Sequence, residues 1–309
     1  MIPRYLFRAY SPGSDGINNS MGFSCQAISE ECNTIASLKD LERQDARRML
    51  KDHVLWASWK VRQDDILISF SSSFLFTVQH CIRKIEKCYN TTKDNCFITI
   101  LDTKCYPDDT FQWTVDLLRK YNLDEYDHRN LLHTYHEGEY LAEHELYTSA
   151  PEQACHVSFS SIEASMYRIA PDLKEPQHRN NLVYAMRAFR AQWYSRPEVV
   201  SDSNIRQALT LASNFGGKWF LPMSVWGLAM RHREQNSIRM LADRLIGMDD
   251  FPFPYMYRDR TVVPATLREL QEWKDLMESL FLRSENRKRE DDPVGGLLGS
   301  FPNLGIAEN

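Results

Sequence analysis

The sequence predicts an α+β domain over residues 1–172, followed by an all-α domain over 173–290 and a disordered tail over 291–309. Three observations carry that division. Strand-prone runs at Pro3–Tyr10, Ile66–Ser71, Cys96–Leu101 and His156–Phe159 alternate with helical periodicities as far as about Ala170. Beyond Pro171-Asp172-Leu173-Lys174-Glu175-Pro176 only helical periodicity remains. All seven cysteines, from Cys25 to Cys155, lie in the first 155 residues, a shift in composition at the same place.

Taken in order, Pro3–Tyr10 reads as an opening strand that carries Arg8, closed by the turn-forming Ser11-Pro12-Gly13-Ser14-Asp15-Gly16. Apolar residues between Ser37 and Val54 recur at helical spacing, which places His53 near a helix C-terminus. Asp64-Asp65 forms a turn into the buried strand Ile66–Ser71, and Phe74, Val78, Cys81, Ile82, Ile85 and Cys88 trace one face of a helix. Asp109–Tyr121 reads as a helix and Asp124–Asn130 as a loop. His136-Glu137-Gly138-Glu139-Tyr140-Leu141 heads a strand-like run towards Leu146, which would point Glu137 and Glu139 from one face. His156–Phe159 and Met166–Ile169 are two short strand candidates.

In the second half, one helix carries Leu182, Met186, Phe189 and Trp193, and Ser203 or Ser201 caps the next, which Gly216-Gly217 ends. Two more helices span Val225–Met230 and Ile238–Ile246. Thr266-Leu267-Arg268-Glu269 has the spacing of a capping box that opens a long final helix. The charged, then Gly- and Pro-containing, segment after about Arg287 reads as disordered.

Composition narrows the function. A formal net charge of -5 and a pI near 6.0 provide no basic footprint for nucleic acid. No run approaches the ~18 apolar residues of a membrane span, and Met1–Arg8 lacks the apolar core of a secretory signal, so the expected location is cytoplasmic. An odd number of cysteines without C-x-x-C spacing fits reduced thiols. His128, His133, His136 and His144 crowd one region, but Tyr140 stands where H-E-x-x-H needs its second histidine, so no metal is expected. P-loop and Rossmann motifs are missing.

Three features follow one another along the chain: Arg8 in the first strand, a serine cluster ending a middle strand, and E-x-E on a later one. Their order resembles the arginine-serine-glutamate class of mono-ADP-ribosyltransferases, and within it the cholera-toxin and heat-labile-enterotoxin A subunit branch. Tyr5-Leu6-Phe7-Arg8-Ala9-Tyr10-Ser11 resembles that branch's L-Y-R-A-D-S, and Val61-Arg62-Gln63-Asp64-Asp65-Ile66-Leu67-Ile68-Ser69-Phe70-Ser71 resembles its V-R-x-D-D-x-x-V-S-T-S. Glu137-Gly138-Glu139-Tyr140-Leu141 is similar to E-Q-E-V-x, and Ser161–Ile169 to the closing segment that ends W-Y-R-V. Phe70 replaces the middle threonine of S-T-S, and the segment around Met21-Gly22-Phe23 lacks the branch's paired glycines.

The resemblance covers residues 3 to about 170 and implies a split pair of small β-sheets with flanking helices. It also implies NAD as substrate and a protein acceptor, arginine first. Glu139 would act at the NAD ribose, where breaking the bond to nicotinamide builds oxocarbenium-like charge. Glu137 would hold and deprotonate the acceptor. Arg8 would bind the pyrophosphate, Ser69 would position Glu139 and the ribose, and Ser71 and His53 would support the same wall. The rival expectation is a catalytically degenerate transferase fold that acts as a protein-binding module, with the helices as an adaptor surface.

Overall fold

The computed structural model describes residues 2–30, 36–55, 63–123, 136–174, 182–247, 263–264 and 266–291. Val61-Arg62, the Asp124–Asn130 segment, His128 and His133 lie outside them, as do residues 292–309. The protein is mixed α and β, with two antiparallel sheets and, among the described residues, ten α-helices.

The first strand, β1 (Tyr5–Tyr10), shows why the sheet is buried on both sides. Its period-two alternation sends Tyr5, Phe7 and Ala9 into one apolar cluster and Leu6 and Tyr10 into another. A hairpin of β2 (Ile17–Asn19) and β3 (Gly22–Ser24) follows, then a short α1 (Gln26–Ser29) and α2 (Arg43–Leu55). Strand β4 (Leu67–Ser71) leads into α3 (Phe74–Lys87), whose N-cap Ser73 accepts from the Phe76 N–H. Next come β5 (Phe97–Asp102), β6 (Gln112–Trp113), α4 (Thr114–Lys120), β7 (Glu139–Glu143), β8 (Glu145–Tyr147), β9 (Ala154–Ser158) and α5 (Phe159–Ile169).

The larger sheet has the order β6-β7-β4-β1-β5-β9, and the smaller is β2-β3-β8. His144, with φ of 62°, turns the chain from β7 of one sheet into β8 of the other. Within the larger sheet β1 pairs with β5 at six positions from Tyr5↔Asp102 to Tyr10↔Phe97, and β4 with β7 at five from Leu67↔Glu143 to Ser71↔Glu139. Between β1 and β4 only Phe7↔Ser71 is paired. The sheet is therefore two three-stranded halves, β6-β7-β4 and β1-β5-β9, that meet at one point.

The helical half comprises α6 (Leu182–Trp193), α7 (Asp202–Ser213), α8 (Phe220–Ala229), α9 (Gln235–Ile246) and α10 (Arg268–Asp291). Ser201 caps α7, and its side chain and that of Asn204 bond each other's backbone N–H groups. Helix α8 is buried from Leu221 to Ala229 and lies so close to α7 that a Cβ on Gly227 would fall 3.0 Å from that of Ala208. Trp226 of α8 stacks on Trp273 of α10 at 5.6 Å and meets Phe7 edge-on at 5.5 Å. One continuous core thus runs from β1 through α3 and α5 to α10.

Several local expectations are corrected. Met166–Ile169 is the end of α5, not a strand: Phe159, Ile162, Met166 and Ile169 are buried at helical spacing, which a four-residue window hides. The helix expected from Asp109 begins at Thr114, because Gln112 and Trp113 pair with Leu141 and Tyr140. The helix expected from Ser37 begins at Arg43, since Ser37 and the Leu38 N–H bind the Glu143 carboxylate at 2.5 and 3.1 Å. The last helix opens at Arg268 without the expected capping box, for Thr266 donates to Glu137 and Glu269 is committed to Arg190. That helix also runs past Arg287 to Asp291, through residues whose composition reads as a tail.

Candidate active site

Where β1 and β4 part, side chains replace the backbone ladder. Arg8 Nη1 donates to the Ser69 carbonyl at 2.7 Å, and its Nε and Nη2 donate to Asn18 Oδ1 at 3.1 and 2.8 Å. Its guanidinium lies 5.3 Å from the Phe23 ring and 5.8 Å from Phe70. Phe70 is 2% exposed and belongs to this apolar seat. Burial pushes Arg8 down to about 10, with Asp15 opposing the shift.

From Ser69 a series of hydrogen bonds runs in both directions. His53 Nε2 lies 2.8 Å from Ser69 Oγ, and its Nδ1 lies 2.7 Å from Asp65 Oδ2. The other oxygen of Asp65 accepts from the Leu67 N–H at 2.9 Å, which fixes the carboxylate at the entrance to β4. On the other side Glu139, near enough to Ser69 for the hydroxyl to favour its charged form, accepts at Oε2 from His136 Nδ1. The order is Asp65, His53, Ser69, Glu139, His136.

The electrostatics follow from that order. Burial alone would raise the Glu139 carboxyl, but the charge and hydrogen bond of His136, the His53 charge and the Ser69 hydroxyl together hold it below 4.5. Burial would likewise lower His53, and the hydrogen bond and charge of Asp65 outweigh it, so its pKa lies above 6.5. Glu139 is therefore an ionised carboxylate at neutral pH.

The two acids do not share a strand face as their spacing implies. Strand β7 starts at Glu139, whereas Glu137 and Gly138 form a turn after His136, so the alternation rule stops one residue short. The backbone of that turn is pinned by the Ser72 N–H on the Gly138 carbonyl at 2.8 Å and by Trp113 Nε1 on the Glu137 carbonyl at 2.9 Å. The Glu137 carboxylate accepts instead from Thr266.

The structure thus brings Arg8, Ser69, His53 and Glu139 together and sets Glu137 beside them with a separate partner. Ser71 is directed elsewhere: its hydroxyl accepts from the Ser73 N–H at 3.0 Å and donates to the Ser73 carbonyl at 3.4 Å, within the turn into α3.

Some residues of the site carry no signal of their own in the sequence. Asn18 and Asp65 are indistinguishable from ordinary turn residues, and His136 shows only as a neighbour of the acids. His80 and Lys84, one turn apart on α3, also bear on Arg8. Burial, then Lys84, Arg8 and Arg83, push His80 down to about 3 against an opposing pull from Glu139. Burial and Arg8 lower Lys84, whose Nζ donates to Ser14 Oγ at 2.9 Å. His80 is therefore neutral at pH 7, and Arg8 and Lys84 carry the positive charge of this region. Three of the five Arg8 N–H groups are engaged, which leaves two for an anion. No group of three or more His, Cys, Asp or Glu suited to a metal ion occurs among the described residues, nor is any described helix long and apolar enough to cross a membrane.

A family model described as Domain of unknown function (DUF7587) matches residues 1–155, about half of the chain, and the chain belongs to that family. No curated protein and no solved structure matches it.

Proposed function

We propose that this member of the DUF7587 family is an NAD-dependent mono-ADP-ribosyltransferase that modifies a protein side chain, arginine first. The observation that supports this reading is the series Asp65–His53–Ser69–Glu139–His136, with Arg8 bonded to the Ser69 carbonyl, at the point where the two halves of the sheet part. The division of the sheet into three-stranded halves joined at Phe7↔Ser71 accords with the split-sheet fold of the transferases.

The residue types fit the chemistry. Two unengaged Arg8 N–H groups, with Lys84 beside them, face the pyrophosphate of NAD as a bidentate and a point charge. The ionised Glu139, held by Ser69 and His136, stabilises the positive charge that grows on the ribose carbon as nicotinamide leaves with the electron pair of its C–N bond. An acceptor nitrogen then forms the new bond to that carbon and gives up its proton, for which Glu137 is the base.

The test is nicotinamide release by the full chain with NAD, by chromatography, for wild type and Glu139→Gln. Wild type should release nicotinamide, and the variant should be slower by roughly 10²- to 10³-fold. NAD binding without release by wild type would leave the protein-binding module as the reading.

A second reading rests on one observation. Asp65, His53 and Ser69 stand at 2.7 and 2.8 Å in the order of a serine hydrolase triad. Against it, the Glu139 carboxylate stands near enough to Ser69 to be influenced by its hydroxyl, a negative group close to where an oxyanion would have to form. Stable labelling of Ser69 by a fluorophosphonate would favour the hydrolase, whereas an unlabelled Ser69 beside active nicotinamide release excludes it.

A further inference from the structure

The Glu137 turn is covered by residues more than a hundred positions away. Thr266 donates its hydroxyl to the Glu137 carboxylate. The Leu267 side chain lies over Gly138, with Cδ1 3.3 Å from where a Cβ there would stand. In the first turn of α10, Glu269 is 0% exposed and fixes this segment: Arg190 of α6 donates to it from Nε at 2.9 Å, and the Ser73 hydroxyl at the head of α3 at 2.5 Å. Charge from Glu137 reaches Arg190, but Glu269 already offsets that guanidinium.

We infer that Thr266 is the positioning residue of the acceptor side, orienting the Glu137 carboxylate so that the helical half of the chain sets which side chain is modified. This rests on the transferase reading. The geometry specifies an acceptor class. With its proton given to Glu137, Thr266 Oγ1 has only lone pairs to offer, so that the hydroxyl oxygen and the carboxylate oxygens form one edge of acceptors. A guanidinium, whose rigid planar fork presents parallel N–H groups, matches that edge; an ammonium, whose three N–H groups splay from a single nitrogen, does not. When the guanidinium nitrogen bonds to the ribose carbon, nicotinamide takes the electron pair of the broken bond and the surplus guanidinium proton passes to Glu137.

The role is one of orientation, not of folding. Thr266 is exposed and Glu137 is half-buried, so their hydrogen bond contributes little to stability. The experiment measures initial rates with saturating NAD and a varied small guanidine acceptor, alongside NAD hydrolysis without acceptor, for wild type, Thr266→Val and Thr266→Ser. Thr266→Val should raise the acceptor KM about tenfold and leave hydrolysis unchanged, and Thr266→Ser should restore the wild-type KM. An acceptor KM within twofold of wild type in Thr266→Val, or hydrolysis and transfer falling together, overturns the inference while the transferase reading stands. Absence of nicotinamide release from wild type overturns both.

Discussion

Glu137 and Glu139 are two residues apart, yet opposite ends of the chain hold them. Glu139 stands on β7 and takes all its partners, Ser69, His53 and His136, from within residues 1–155, the segment that defines the family. Glu137 stands in a turn and takes Thr266 from the helical half. The Glu139 carboxylate is held by the charge and hydrogen bond of His136 and the charge of His53; the Glu137 carboxylate, in the same burial class, accepts from Thr266 across the fold. On the proposed transferase reading the difference separates two tasks, bond cleavage in NAD falling to the family segment and the choice of acceptor to residues outside it.

The sharpest way to break that comparison is Glu137→Gln. It should reduce transfer to a guanidine acceptor by roughly 10²- to 10⁴-fold while NAD hydrolysis continues, and an equal loss of both activities would show that the acids work as one unit. Next in size is Arg190→Ala. It leaves Glu269 as an unpaired buried charge beneath Thr266, with an expected cost of about 3–5 kcal/mol in urea unfolding; a loss under about 1 kcal/mol would mean that the pair behaves as a surface one.

Smaller effects probe the Glu139 side. Asp65 is the group that keeps His53 raised, so Asp65→Asn should lower the His53 pKa, read by NMR titration of its ring protons, and slow nicotinamide release. No movement of that titration would separate Asp65 from the site.

The smallest is the acid limb of stability. His80 titrates at about 3 and His156 at about 4 in the folded protein against 6.5 when unfolded. Only the unfolded chain takes up those protons as pH falls from 6.5, so the stability they lend is present above 6.5 and lost down to their folded values. Glu139, held below 4.5, adds a loss at the lower end of the same range. His53 has the opposite sign, its contribution being present below 6.5 and lost as pH rises through its raised value. Denaturant titrations of His80→Leu should show an acid limb shallower by about one proton than wild type, and an unchanged limb would place His80 outside the buried region.

Much of this was legible in the sequence, for identifiable reasons. Period-two burial on both faces made β1 readable, and Arg8 is conspicuous as a charge inside it. Ser69 lies within β4 and Glu139 at the head of β7, strands that local pattern marks well. The separation of Glu137 from Glu139 was not legible, because a turn that ends one residue before a strand looks in sequence like the strand itself. The pairing of Glu269 with Arg190 was hidden for another reason: T-x-x-E spells a capping box locally, and only long-range packing diverts its glutamate. Ser71, equivalent to Ser69 by pattern, differs because the tight turn into α3 takes its hydroxyl.

The continuous core has a consequence for how such a chain can be inherited. Tyr5 and Phe7 of β1 face Trp219, Trp226 and Trp273 of the helical half, so the segment that the family model matches presents a wet apolar sheet face when taken alone. A relative that keeps this segment must also carry a cover for it. That cover is free to change in sequence as long as it stays apolar inside, and each new cover brings a new neighbour for Glu137. On the transferase reading, exchange of the second half would change the neighbour of Glu137 and leave Arg8, His53, Ser69 and Glu139 in place.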